Sequence, residues 1–212
     1  MQDTSLTVTK QLLKINTIKI QPENPFTWAS GWKSPIYCDN RKILSYPETR
    51  SIVAKAFAEL VRKKYPHAEM IAGVATGAIA HGVLVAELLG LPFIYIRSAP
   101  KGHGLENMIE GDLKEGQKVV IIEDLVSTGM SSLKAAEAVR EAGKAEVLGM
   151  LAIFSYGFPV ATEAFAEANI ELETLSNYQL LIEHAVETGV VAKNQLESLK
   201  SWRENPSEWG KN

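Results

Sequence analysis

One segment constrains this chain more than any other. Val119-Val120-Ile121-Ile122 runs into two adjacent carboxylates, Glu123-Asp124, then Leu125-Val126-Ser127-Thr128-Gly129-Met130-Ser131, and an Ala-rich helical pattern follows. β-Branched residues with no polar alternation predict a strand buried on both faces, the habit of a parallel sheet covered by helices. Neighbouring carboxylates at the end of such a strand repel each other and lose hydration. They persist where something pairs with them, such as sugar hydroxyls or a divalent cation. Ser127, Thr128, Gly129, Ser131 and Ser132 are small enough to let a phosphate reach backbone N–H groups. A helix N-terminus supplies those groups together with a favourable dipole, and Gly129 permits the tight turn. An ordinary strand–turn–helix with hydroxyl caps explains the hydroxyls but not the acids. The segment therefore predicts a site for a phosphorylated sugar.

The remaining chain supplies the sheet. Helical periodicity covers 6–15 and 47–64, with Ser45 in the N-cap region and Pro47 at an early helical position. Strands are predicted at 69–75, 92–97, 118–123, 146–154 and near 170–175. Helices are predicted from Ile79 to a C-terminal Gly90, from Leu133 to Ala142 before Gly143, and near 160–168, 177–187 and 193–203. Residues 16–46 read as irregular or β-like, and 204–212 as a loose tail. The expected fold is α/β, a mainly parallel sheet flanked by helices, with a small hood built from the N-terminal segment. One domain over 1–212 is expected: an N-terminal helix and hood (1–46), an α/β core (47–175) and a C-terminal helical tail (176–212). Ligands of such sheets sit beyond the strand C-termini.

Composition narrows the function classes. A net charge of −3 and a pI near 5.9 argue against a nucleic-acid partner. The densest basic run, Arg62-Lys63-Lys64, closes a helix, where cations complement the dipole. No apolar run approaches the ~20 residues that span a bilayer, and Met1–Ser5 has no signal-peptide character. Cys38 stands alone, so an intramolecular disulfide is excluded and a reducing, cytoplasmic setting is expected.

Three further segments bear on chemistry. Arg97 to Gly111 joins two strands with no helix of its own, a length that marks a functional connection. Its Arg97, Lys101 and His103 offer positive charge to a polyanion, with Gly102 and Gly104 beside His103, as in a lid that closes over phosphates. Ala72 to Ile79 carries a strand through small residues into a helix, which suits either a diphosphate or tight packing. Phe26 to Arg41 gathers Trp28, Trp32, Tyr37 and the cations Lys33 and Arg41, either a hood over a planar base or an aromatic core flap. His67, His81 and His184 stand alone, without metal-ligand spacing.

Ile121 to Gly129 resembles the phosphoribosyl-diphosphate signature of the type I phosphoribosyltransferases. Ser30-Gly31-Trp32-Lys33-Ser34-Pro35-Ile36-Tyr37-Cys38-Asp39 and Arg97-Ser98-Ala99-Pro100-Lys101-Gly102-His103-Gly104 are similar to segments of the orotate phosphoribosyltransferases. The resemblance runs over essentially the whole chain. It implies transfer of phosphoribosyl from 5-phospho-α-D-ribose 1-diphosphate to orotate in pyrimidine synthesis, with Mg²⁺, in a homodimer that shares the 97–111 loop across its interface. It implies catalytic roles for Lys101, His103 and Asp124, and diphosphate contacts from Arg97, Lys101 and His103. Glu123, Asp124, Leu125, Val126, Ser127, Thr128, Gly129, Met130 and Ser131 would hold the ribose and its 5′-phosphate. Ser127 would also touch orotate, and Tyr37 would lie near the base. This chain has Ala29, Gly77 and Tyr156 where some members carry a lysine, a lysine and an arginine. Arg41 and Lys33 are then the candidates for the orotate carboxylate. A transferase for another base, or a nucleotide-sensing regulator on the same fold, are the alternatives.

Overall fold

The structure, a computed structural model, describes residues 2–28, 30–99, 108–141 and 144–210. The chain opens with helix α1 (Gln2–Lys14). Four short strands follow, β1 (Ile18–Ile20), β2 (Phe26–Thr27), β3 (Lys33–Ser34) and β4 (Ile36–Cys38). They pair as two antiparallel ribbons, β1 with β4 and β2 with β3, and form the hood over 16–46. Its last part, Asn40–Ser45, is a 3₁₀ helix rather than irregular chain, begun by the Asp39 side chain accepting from the Arg41 N–H. Helix α2 (Pro47–Lys64) then starts with Pro47 in its first turn. Its N-cap is Tyr46 rather than Ser45 and uses no side-chain cap, because the preceding 3₁₀ turn already fixes the entry.

The core alternates β5 (Met70–Val74), α3 (Ile79–Leu89), β6 (Phe93–Ile96), β7 (Ile109–Glu110), β8 (Lys118–Val126), α4 (Met130–Glu141), β9 (Glu146–Ser155), α5 (Pro159–Glu167) and β10 (Leu172–Asn177). The sheet order is β10-β9-β8-β5-β6-β7. All neighbours are parallel except β7, which turns back along β6. The 97–111 connection thus carries a short strand of its own, in addition to residues outside the described set. Side chains alternate between two faces, as the two-residue repeat of a strand requires. Ile71, Val120, Ile122, Leu151 and Ile153 pack under α1, α2 and α3. Met70, Ala72, Val119, Ile121, Met150 and Ala152 pack under α4 and α5.

Helices α6 (Tyr178–Glu187) and α7 (Leu196–Glu204) close the chain. Their apolar faces join the core of α1 and α2, so one continuous cluster spans Val8 to Trp202. Residues 205–210 fold back in turns instead of trailing: the Trp209 indole donates to Ser198 Oγ at 3.2 Å and packs on that cluster. Two of the three basic residues at the end of α2 have partners within the fold. Arg62 donates to the Leu88 carbonyl at 2.6 Å, and Lys64 bridges Glu171 and Glu173.

Candidate active site

From β5 the chain crosses to β6 on one side, whereas β8 leads to β9 and β10 on the other. The C-terminal ends of β5 and β8 therefore flank the point where the winding direction reverses, the place where an open α/β sheet leaves a crevice. A cavity of about 360 Å³ lies there. Its walls are Val74 to Gly77 after β5, Arg97 and Ser98 after β6, Glu123 to Leu125 and Ser131, and Cys38, Asp39 and Arg41 from the hood.

The strand does not end at Glu123 as periodicity suggests. β8 pairs with β9 as far as Val126↔Ser155, so both acids are strand residues that point in opposite directions. Glu123 is 4% exposed. One of its oxygens accepts from the Asp124 N–H and the other from Ser132 Oγ, each at 2.9 Å. Burial, then the neighbouring Asp124 charge, pushes its pKa up to about 8. Asp124 is half-buried and lines the cavity. A methyl group at Gly77 would sit 2.2 Å from Asp124 Oδ2, so the absence of a side chain at 77 makes room for that carboxylate. From the hood, the buried Asn40 donates through Nδ2 to the Asp124 carbonyl at 2.6 Å and accepts from Cys38 Sγ at 3.4 Å. His81 is buried nearby, and burial lowers its pKa against the opposing pull of Asp124. Asn40, Gly77 and Ser132 thus support the acid pair. Periodicity and spacing carry no signal for these roles: Asn40 acts across 84 residues of chain and Gly77 through a missing side chain, while the sequence marks Ser132 only as a small residue beside a phosphate.

The state of Glu123 has a measurable consequence. Its folded pKa, about 8, lies above the unfolded value near 4.5, so the folded state holds more protons between these limits. Stability therefore falls as pH rises through that window. Glu123→Gln can accept from Asp124 N–H and donate to Ser132 Oγ without titrating. Its melting temperature should exceed that of the wild type at about pH 8.5, and the difference should close toward about pH 5. A difference that does not change with pH would show that Glu123 is ionised throughout.

Beyond the acids, Gly129 turns the chain with φ +83°, and a Cβ there would lie 2.9 Å from the Phe165 ring. The first N–H groups of α4 follow immediately. Ser127 and Thr128 are half-buried, Ser131 is exposed at the cavity wall, and Met130 projects outward at 77% exposure. The Val126 side chain is wholly buried beneath α4 and α5, so only its backbone can meet a ligand.

A second cavity, of about 280 Å³, adjoins the first and shares Cys38 and Leu125 with it. It is lined by Thr27, Trp28, Tyr37, Ser127 and Tyr156. Tyr37 is 41% exposed and leans on Phe26 with ring centroids 5.6 Å apart. The structure places Arg41 at the acidic cavity, not this aromatic one, with its guanidinium on Asp39 at 2.7 and 3.1 Å. Arg97 reaches the acidic cavity while donating to Glu110 at 3.2 Å. Lys101 and His103 lie outside the described residues.

The Phosphoribosyl transferase domain profile matches residues 39–169. An orotate phosphoribosyltransferase of Phocaeicola vulgatus is 58% identical over 200 residues, 94% of each chain. One from Porphyromonas gingivalis is 56% identical over 203 residues, 96% of each chain. Among solved structures, orotate phosphoribosyltransferase from Aeropyrum pernix superposes with a TM-score of 0.75 at 26% identity, over 87% of this chain and 99% of that one. The hood, the doubly wound sheet and the acid-bearing β8 therefore belong to a protein of the phosphoribosyltransferase family, in its orotate phosphoribosyltransferase branch.

Proposed function

We propose that this protein transfers phosphoribosyl from 5-phospho-α-D-ribose 1-diphosphate to orotate, giving orotidine 5′-monophosphate and diphosphate in pyrimidine synthesis. The observation that carries this reading is the pair of adjoining cavities, one acidic and beside a helix N-terminus, the other aromatic, meeting at Cys38 and Leu125. A ribose at that junction would turn its C1 toward both.

In this reading the α4 N-terminus and the Ser127–Ser131 turn receive the 5′-phosphate. Asp124 accepts hydrogen bonds from the ribose hydroxyls and lies near the sugar carbon as positive charge grows there. The C1–O bond breaks with its electron pair leaving on diphosphate. The N1 lone pair of orotate forms the new bond from the opposite face, and the N1 proton is lost to solvent. Arg97, Lys101 and His103 would meet the departing charge, which favours the transition state over the bound substrate. Among the described residues no three His, Cys, Asp or Glu side chains gather into a metal cage. Asp39, Glu123 and Asp124 all line the cavity, Asp39 held by Arg41 and Glu123 by Ser132; Asp124 would still fit a Mg²⁺ that keeps waters and is carried by substrate oxygens. Such an ion would neutralise phosphate charge.

Orotate absorbance in the ultraviolet should fall when phosphoribosyl diphosphate is added to the purified protein. No change with orotate, but turnover of uracil or a purine, would move the protein to another base.

The resemblance also supports a cytoplasmic homodimer that shares the 97–111 loop. If the loop acts in the partner's site, mixing inactive Lys101→Ala and Asp124→Asn proteins should restore about a quarter of wild-type activity, since each mixed dimer contains one intact site. No recovery after subunit exchange would put the loop in its own subunit's site.

A further inference from the structure

Among the described residues no charged side chain lines the aromatic cavity: Thr27, Trp28, Tyr37, Cys38, Leu125, Ser127 and Tyr156 form its walls. A pyrimidine carrying a carboxylate would leave that charge unpaired there, at a large cost in affinity. Arg41 is a poor answer, because it is committed to Asp39 and lines the neighbouring cavity. Lys33 is placed differently. The β2–β3 register sets Lys33 opposite Thr27, so their side chains leave the ribbon on one face. Lys33 Nζ donates to Thr27 Oγ1 at 2.9 Å, and Thr27 is itself a wall of the cavity. Among the described residues Lys33 has no carboxylate partner within ion-pair distance. An ammonium has three donors, and a neutral hydroxyl takes one of them.

The lysine is also fixed at its base. Trp202 on α7 donates to the Lys33 carbonyl at 3.2 Å. The lysine stem runs beside Gly210, where a Cβ would lie 3.3 Å from Lys33 Cβ. The same Trp202 ring meets Trp28, a cavity wall, at 5.7 Å. The C-terminal helix thus holds the cation and the aromatic floor in one relation.

We propose that Lys33 binds the carboxylate of the base and so sets the preference of the aromatic cavity for an acidic pyrimidine. The proposal rests on the orotate reading. It concerns one residue of that site, so the two can fail separately.

The test compares wild type, Lys33→Met and Lys33→Arg. Lys33→Met should raise KM for orotate roughly 10–100-fold, the worth of a charged hydrogen bond. KM for phosphoribosyl diphosphate should stay within about 2-fold, since Lys33 reaches the aromatic cavity through Thr27 and is absent from the acidic one. Inhibition by orotamide, which has the same ring with a neutral carboxamide, should be unchanged, so the preference for orotate over orotamide disappears. Lys33→Arg should recover part of it. Lys33 is exposed, and its backbone bond to Trp202 survives substitution, so melting should not move. A variant with wild-type KM for orotate, or with orotate and orotamide weakened alike, overturns the proposal while leaving the reaction intact. A wild-type protein that does not consume orotate overturns the orotate reading itself.

Discussion

Asp124→Asn should lower kcat/KM for phosphoribosyl diphosphate by ~10–1000-fold while changing the melting temperature little. The substitution keeps the shape of the side chain and leaves the strand pairing of β8 untouched. It removes a carboxylate from the wall of the acidic cavity, and with it the charge that would lie beside the cationic sugar carbon. It also replaces a full acceptor by an amide that must donate on one side, so one ribose hydroxyl loses its partner. The loss should fall mainly on kcat, because the interaction strengthens as positive charge develops. Steady-state kinetics with each substrate varied in turn check this. Kinetics like those of the wild type would remove Asp124 from the sugar site. Asn40 holds the Asp124 backbone carbonyl and Gly77 leaves room for the side chain, which is why the asparagine should occupy the same place.

Trp202→Ala should be the most damaging single change to the fold. The indole is wholly buried. Its ring meets Trp28, Tyr156, Phe158 and Tyr178 at centroid distances of 5.7, 5.5, 5.3 and 5.2 Å, and its N–H is satisfied by the Lys33 carbonyl. Removing it takes away this packing and leaves a void between α7, the hood and the end of β9. Truncations of this kind cost about 3–5 kcal/mol, a large fraction of the ~5–15 kcal/mol that holds a domain together. At roughly 2–4 °C per kcal/mol for a chain of this size, the midpoint should fall by about 6–20 °C. Calorimetry on the variant checks the figure. KM for the base should also rise, because Trp28 and Tyr156 are walls of the aromatic cavity. A drop in stability with an unchanged base KM would mean that the cavity walls hold their positions without Trp202.

Much of the architecture was legible because it follows from local pattern. The buried strand at 70–74, the first part of β8 over 118–123, the helix stop at Gly90 and the proline-led start of α2 each depend on residues close in the chain. Errors clustered where a distant partner decides. β8 continues past Glu123 because β9 supplies a ladder as far as Ser155, and no neighbour in sequence announces that. The final residues read as a loose tail, yet Trp209 is anchored on Ser198 and the core. The 3₁₀ turn at Asn40–Ser45 displaced the expected cap of α2.

The site divides in the same way. The ingredients were readable from the chain alone: an acid pair on a buried strand, a small-residue turn into a helix, and a hood of aromatics. Each is a pattern of adjacent residues whose desolvation, backbone freedom or periodicity has a local cause. What each ingredient faces was settled by the packing of the folded chain. It turned Glu123 inward onto Ser132 and Asp124 outward into the cavity, set Arg41 on Asp39, and brought Lys33, Trp28 and Trp202 together around the aromatic cavity. Which of two neighbouring acids is buried depends on the layers packed above and below the strand, and those layers come from residues up to the far end of the chain.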